Sequence, residues 1–324
     1  MSIIKIGIVG YGNLGKGVEK AIFQNPDMEL TAVFTRRTPE NINCSASVFS
    51  IDKLADFKDK IDVMILCGGS AKDLPVQTVE IAKMFHTVDS FDNHSHIPEY
   101  FQKVDEQAKK HQKLSLISTG WDPGLFSLMR VLGESVLPQG KTYTFWGKGL
   151  SQGHSDAVRR IPGVKMAAQY TIPNENALQK VRNGEQPEFK VPEMHNRVCY
   201  VVTENDADKT QIKNDIVTMP DYFKPYHTEV HFISEQEFLA NHREMPHGGR
   251  VLRSGESGGG KKQIFEFSLD LESNPEFTSS VLVAYARAVH RLSQKGEIGA
   301  VSVFDIPLGY LSQRSDEDLR KFLL

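Results

Sequence analysis

Cysteine is scarce here: Cys44, Cys67 and Cys199 are all that 324 residues hold, and no two of them share CxxC spacing. That argues against a disulfide framework and a zinc knuckle, and leaves three reduced thiols. Long apolar runs are missing too, and the opening MSIIKIGIVG reads as a strand rather than a signal peptide, so no membrane partner and a cytoplasmic location are expected. Charge of one sign is absent. A formal net charge of −3 gives no general attraction to nucleic acid or to an anionic membrane, so any anion site must come from a local cluster. Histidine is more plentiful, but His94-Ser-His96 with Asp89 and Asp92 nearby lacks a matching distant ligand set, and no metal is expected. No internal repeat or low-complexity tract is present. A hydrophobic content of 40% over this length is enough for two cored domains.

What is there begins at residues 6–15, IGIVGYGNLG. An apolar run breaks into Gly10-x-Gly12-x-x-Gly15 and leads straight into an amphipathic stretch carrying Val18, Ala21 and Ile22 on one helical face. Asn25-Pro26 ends that stretch, and residues 28–34 (MELTAVF) read as a second strand. In a βαβ unit of this length the first glycine permits the tight turn. The second lets the backbone approach a pyrophosphate, and the third lets the helix pack closely on the strand. An acid about twenty residues past the glycines would favour a free ribose 2′-hydroxyl. This chain has Thr35-Arg36-Arg37 there, and guanidinium forks suit a 2′-phosphate, so NADP is the expected dinucleotide.

The alternation continues: strand 62–67 (DVMILC), a Gly68-Gly69-Ser70 turn, helix 75–85, strand 87–90, helix 97–111 and strand 113–118. Strands and helices in this order predict a parallel, Rossmann-like sheet whose ligand sits beyond the carboxyl ends of the strands. Those ends carry Gly10, Tyr11, Gly12, Asn13 and Leu14; Thr35, Arg36 and Arg37; Cys67, Gly68, Gly69 and Ser70; Ser90, Phe91 and Asp92; and Thr119, Gly120, Trp121, Asp122 and Pro123. All are expected to face the cofactor. From about residue 120, strand-like segments at 141–146, 197–203, 227–233 and 263–271 predict a second α+β domain with a mainly antiparallel sheet. Residues 278–293 read as an apolar helix packing back on the first sheet, Ser315-x-x-Asp318 as the cap of a short final helix, and 255–262 (GESGGGKK) as a hairpin tip. The expected division is 1–118 with about 275–324 for the dinucleotide and 119–274 for the substrate and dimerisation.

Three segments concentrate chemistry: Gly120-Trp121-Asp122-Pro123-Gly124, Phe145-Trp146-Gly147 and Ser151-Gln152-Gly153-His154-Ser155-Asp156, which hold both tryptophans of the chain. A carboxylate between aromatics suits a substrate ammonium, because the attraction strengthens where water is excluded. Asp122 reads equally well as a turn residue before proline.

These strings, with SFDNH at 90–94, STGWDPGLFS at 118–127, TFWGKGLSQGHSDAVRRIPGVK at 144–165, TMPDYF at 218–223 and MPHGG at 245–249, make the chain resemble the meso-diaminopimelate dehydrogenases of bacterial lysine biosynthesis over nearly its whole length. The resemblance implies a homodimeric NADP-dependent oxidoreductase. Its reaction would be the reversible oxidative deamination of the D-configured centre of meso-2,6-diaminopimelate to L-2-amino-6-oxopimelate and ammonia. It also implies that Asp92 and Asp122 hold and help deprotonate the reacting amine while Trp121 and Trp146 wall it off from water. The far end would fall to Thr171, Arg197, His247 and Asn274, with Arg197 making the fork contact to the L-centre carboxylate and Gln152, Gly153 and Asp156 shaping the pocket between. A neutral amine is needed before its carbon can give up hydride, which a nearby carboxylate serves, and no covalent nucleophile is required. Two other readings fit the glycine turn: a different two-domain NADP oxidoreductase, including a broad D-amino acid dehydrogenase, and a non-catalytic NADP-binding sensor. The second leaves Trp121, Asp122, Trp146 and Arg197 without a purpose.

Overall fold

The computed structural model describes residues 3–220 and 222–324; Met1 and Ser2 of the opening run and Asp221 of the TMPDYF string lie outside it. In chain order the strands are β1 (Ile4–Val9), β2 (Met28–Thr35), β3 (Val48–Ser50), β4 (Val63–Leu66), β5 (His86–Asp89), β6 (Leu114–Leu116), β7 (Gly140–Trp146), β8 (Gly149–Leu150), β9 (Val164–Pro173), β10 (His195–Thr203), β11 (Thr228–Phe232), β12 (His247–Ser257), β13 (Lys261–Leu271) and β14 (Gly299–Val301). Two compact units result. One comprises residues up to Leu128 with Pro275–Leu324, the other Met129–Asn274.

The first unit holds a seven-stranded sheet in the order β14-β6-β5-β4-β1-β2-β3, every neighbouring pair parallel. Alternate residues of each strand point to opposite faces, and both faces are apolar. Ile8, Val33 and Ile65 join one core with helices Asn13–Phe23 and Asn274–Ser293. Their neighbours Val9, Phe34 and Leu66 join a second core that includes Leu74, Ile81 and Val104 from helices Leu74–Ile81 and Ile97–Lys110. Each such fully buried aliphatic or aromatic side chain contributes about 1.5–3 kcal/mol of transfer free energy. Because the chain builds β2 and β3 on one side of β1 and then β4, β5 and β6 on the other, the order reverses beside β1, the place where ligands of open α/β sheets bind.

The late apolar helix does pack back on this sheet, as expected, and it begins earlier than 278, at Asn274. Ser279 Oγ donates to the Leu14 carbonyl at 2.8 Å, tying that helix to the one that follows the glycine turn. Ser315 caps the final helix Asp316–Leu323, accepting from the Asp318 amide at 3.1 Å. The helix expected over 75–85 is shorter, Leu74–Ile81, with turns completing the segment.

The second unit has two sheets where one was expected: β11-β10-β9-β8, and the antiparallel β13-β12-β7. Antiparallel pairing dominates the four-stranded sheet as well, with β10 and β11 its one parallel pair among the described residues. Neither β9 nor β12 is anticipated by pattern. Of the eleven residues of β12, HGGRVLRSGES, only Val251 and Leu252 are large and apolar, and the segment is a strand because β7 and β13 pair with it on both edges. The hairpin tip narrows to residues 258–260. The unit boundary falls after Leu128 rather than after 118. The Thr119 amide donates to the Asp89 carbonyl at 2.8 Å, and Leu125 and Leu128 pack into the first core, so residues 119–128 stay with the parallel sheet.

Candidate active site

The three glycines behave as their spacing predicts. Gly10 adopts φ +91 directly after β1, a conformation L side chains rarely take, and its amide donates to the Phe34 carbonyl at 2.8 Å. A Cβ on Gly12 would meet nothing within 4 Å, so the turn is open there. A Cβ on Gly15 would sit 2.2 Å from the Gly10 carbonyl oxygen, so only glycine lets the helix come this close to the strand. Gly12 is the N-cap of helix Asn13–Phe23 and no side chain caps that end, which leaves the helix dipole directed at the turn.

Beside this turn lies a cavity of about 260 Å³ whose walls include Gly10, Gly12, Thr35, Arg36, Arg37 and Cys67. Arg37 reaches across it, donating from Nη2 to the Tyr11 carbonyl, while its own amide donates to Thr35 Oγ1 at 3.1 Å. Arg36 Nη1 lies 2.8 Å from Asp73 Oδ1, and the same carboxylate accepts from the Gly69 amide at 2.9 Å. The Gly69 hydrogen bond, then the Arg36 guanidinium, hold the Asp73 carboxyl below the ordinary range. An acid does line the cavity, therefore, but it comes from the loop after β4 and is already engaged. An open glycine cradle at a helix N-terminus with two guanidinium groups at its rim fits a dinucleotide carrying a 2′-phosphate. Asp73 and Gln77, which complete the wall, were not legible because their helix carries no motif.

At the end of β5 the Asp92 side chain is exposed and its amide donates to Ser70 Oγ at 2.9 Å, so two strand-end loops are joined. Phe91 is buried and stacks on Tyr100 with ring centroids 4.2 Å apart. Thr119 is buried, Trp121 is 7% exposed and meets Phe126 edge-on at 5.2 Å, and Asp122 is half-buried. The carboxyl ends of β1, β2, β4 and β5 and the segment after β6 thus carry every candidate cofactor residue, together with Asp92 and Asp122.

The second unit holds the remaining candidates. Arg197 on β10 lies opposite Thr171 on β9, donates to its hydroxyl from Nη1, and sits 4.1 Å over the Tyr226 ring. Both Arg197 and Thr171 are 8% exposed. Burial lowers the Arg197 pKa, and no carboxylate among the described residues pairs with it; its Nε is unpartnered. Trp146, at the end of β7, is 36% exposed and stacks on His195, centroids 5.4 Å apart, whose Nε2 accepts from the Trp146 amide at 2.8 Å. Burial, then the nearby Arg197 charge, lowers the His195 pKa to about 4, so the ring is neutral and able to accept. His247 opens β12 with its ring over Gly149, where a Cβ would lie 2.5 Å from Nδ1. Asn274 donates from its amide to the Met245 carbonyl at 2.9 Å. Gln152, Gly153 and Asp156 occupy the first turns of helix Gln152–Arg159, all exposed, with Asp156 ion-paired to Arg159. On the same helix, burial and then the Arg197 charge lower the His154 pKa to about 4. His195 carried no sequence signal, since a lone histidine opening a strand reads as packing.

A family model described as the diaminopimelic acid dehydrogenase C-terminal domain matches residues 120–273. The meso-diaminopimelate D-dehydrogenase of Lysinibacillus sphaericus is 65% identical over 326 aligned positions that cover 100% of both chains. Among solved structures, the diaminopimelate dehydrogenase of Corynebacterium glutamicum in complex with DAP superposes with a TM-score of 0.90 at 45% identity, covering 100% of each chain. An engineered D-amino acid dehydrogenase bound to NADP+ gives a TM-score of 0.85 at 44% identity, again covering 100% of each chain. Full-length identity of this order, added to a glycine turn and an arginine pair where the motifs place them, shows that the chain belongs to the meso-diaminopimelate D-dehydrogenase family.

Proposed function

We propose that the protein is an NADP-dependent oxidoreductase that deaminates the D-configured centre of meso-2,6-diaminopimelate to L-2-amino-6-oxopimelate and ammonia, reversibly, in lysine biosynthesis. The observation that carries the substrate assignment is Arg197. A guanidinium at 8% exposure with an unpartnered Nε and no carboxylate partner among the described residues is costly, and a substrate carboxylate would offset that cost. Thr171 aims and steadies the fork, and Tyr226 covers its face. His247 and Asn274 add polar contacts to the same L-centre, and Gln152, Gly153 and Asp156 border it. Gly10, Gly12 and the first turn of the following helix hold the pyrophosphate, with Arg36 and Arg37 on the 2′-phosphate and Thr35, Cys67–Ser70, Ser90–Asp92 and Thr119–Pro123 along the rest of the dinucleotide. NADP+ supplies the acceptor for a hydride from the substrate carbon.

Asp92 and Asp122 hold the D-centre ammonium, and one of them takes its proton, leaving the lone pair that hydride departure requires; one water then adds to the resulting imine carbon, supplying the oxo oxygen as ammonia leaves. Trp121 and Trp146 keep bulk water from that end, which strengthens the ammonium–carboxylate attraction. The relatives' names and the DAP and NADP+ complexes support this reading. The protein works in the cytoplasm as a homodimer joined through residues 129–274; Val131, Leu132, Val136 and Ile264, each at least 38% exposed, supply apolar surface for it.

Reduced-nicotinamide absorbance tests the assignment with NADP+ and NAD+ against meso-, LL- and DD-diaminopimelate and simple D-amino acids. NADP+ with the meso isomer should dominate. Equal turnover of simple D-amino acids overturns the substrate, and equal rates with NAD+ overturn the cofactor. Arg197→Met should lower kcat/KM for the meso isomer by about 30-fold or more while NADP+ affinity holds, the expected loss of about 2 kcal/mol or more for a buried charged contact.

A further inference from the structure

Asp89 closes β5 immediately before the loop that carries Asp92, and it is fully buried at 0% exposure. Its two carboxylate oxygens have separate work. Oδ1 accepts from the Phe91 and Ser118 amides, each at 3.0 Å. Oδ2 accepts from Tyr100 Oη at 2.6 Å and Thr78 Oγ1 at 3.1 Å. The Asp89 backbone carbonyl also accepts from the Thr119 amide at 2.8 Å. One oxygen therefore fastens the backbone of both segments that bear the candidate acids, residues 90–92 and 118–122, and the other oxygen is itself fixed by two hydroxyls from neighbouring helices. Ser118 needs the fastening. It sits at φ +55, which a non-glycine residue keeps only where its surroundings hold it.

We propose that Asp89 is a positioning residue of the deamination, setting the mutual placement of Asp92 and Asp122 through its Oδ1 and acting by geometry rather than by charge. This rests on the function proposed above. Four donors on a carboxylate match its acceptor capacity, so the group is satisfied without any cation, and nothing in its environment requires contact with substrate. Asparagine preserves the clamp: its amide oxygen can accept from the Phe91 and Ser118 amides while its NH2 donates to the two hydroxyls. Glutamate keeps the charge and displaces the acceptor by about one methylene, and a misplacement of about 1 Å can cost on the order of 100-fold in rate.

The test measures kcat per NADP+-binding site, titrated by cofactor fluorescence, for Asp89→Asn, Asp89→Glu and Tyr100→Phe with meso-diaminopimelate. Asp89→Asn should stay within about threefold of the parent, and Asp89→Glu should fall by about tenfold or more with KM for substrate little changed. Tyr100→Phe, which removes the shorter of the two bonds that fix Oδ2 and so loosens the carboxylate that makes the clamp, should fall about two- to fivefold, and it decides the matter if Asp89→Glu does not fold. A greater loss for asparagine than for glutamate overturns the proposal in favour of charge. Unchanged turnover per site in Asp89→Glu or in Tyr100→Phe overturns it in favour of a merely structural role. Absence of turnover in the parent protein would instead reject the substrate assignment, a separable failure.

Discussion

Gly15 and His195 illustrate two ways in which one residue controls a site it does not itself occupy. At Gly15 the constraint is backbone against backbone, because the 2.2 Å separation of a would-be Cβ from the Gly10 carbonyl cannot be relieved by a side-chain rotation. Gly15→Ala should therefore displace the turn and weaken NADPH binding by about tenfold or more, read by fluorescence titration, whereas Gly12→Ala has room for its Cβ within the protein and should weaken NADPH binding with little loss of stability. His195 acts through protonation. Its pKa in the folded protein is about 4 against 6.5 when exposed, so between these values the unfolded chain binds the extra proton. Its contribution is complete above pH 6.5 and is lost as the pH falls toward 4, on the order of 3 kcal/mol in all. Chemical denaturation at pH 7.5 and 5.5 should show a shallower loss for His195→Gln, which keeps an acceptor for the Trp146 amide and does not titrate.

Helix Asn274–Ser293 shows what an element contributes beyond its own propensity. Its apolar face completes a core of the parallel sheet, and Arg287, only 2% exposed, anchors it by donating to Asp27 Oδ2 and Oδ1 at 2.6 and 2.8 Å, Asn25 Oδ1 at 2.6 Å and the Leu311 carbonyl at 2.7 Å. The bond to Arg287, above its charge, lowers the Asp27 pKa, so this pair stabilises the fold above the usual carboxylate range and is lost as acid protonates Asp27. Arg287→Met should cost roughly 3 kcal/mol in urea unfolding, since it strands a partly buried carboxylate and several acceptors. A loss below about 1 kcal/mol would show that water replaces the guanidinium. This helix was legible from its apolar run, and β1, β2, β4, β5 and β6 because strands buried on both faces read as short apolar runs; β3 and β14, three residues each, were not. β9 and β12 were not, because a strand paired on both edges can tolerate alanine, glycine and arginine that a pattern reading scores as loop.

At the scale of the whole molecule, the chain forms two units with separate cores. The glycine turn and the arginine pair lie in the first, so saturating NADP+ stabilises that unit first. At 100 times Kd the gain is about 2.7 kcal/mol, which calorimetry should register as a rise of several degrees in the transition that contains the parallel sheet. A NADP+ effect no larger than that of NAD+ would remove Arg36 and Arg37 from cofactor choice. No described helix is long and apolar enough to cross a membrane.

Sequence by itself was enough for the dinucleotide turn and its preference for NADP, the parallel sheet and the family, because these depend on contiguous residues: a turn needs its glycines at fixed spacing, and a string as long and unusual as LSQGHSDAVRRIPGV points to one family alone. Arg197 and Thr171 were named through resemblance, but their opposition across β9 and β10, and the absence of a carboxylate partner for Arg197 among the described residues, are facts of register and burial. The contacts of Asp73, His195 and Asp89 were decided only by the tertiary structure. Each acts on a residue brought to it by a different strand or loop, and a hydrogen bond between segments distant in the chain leaves no periodicity to read.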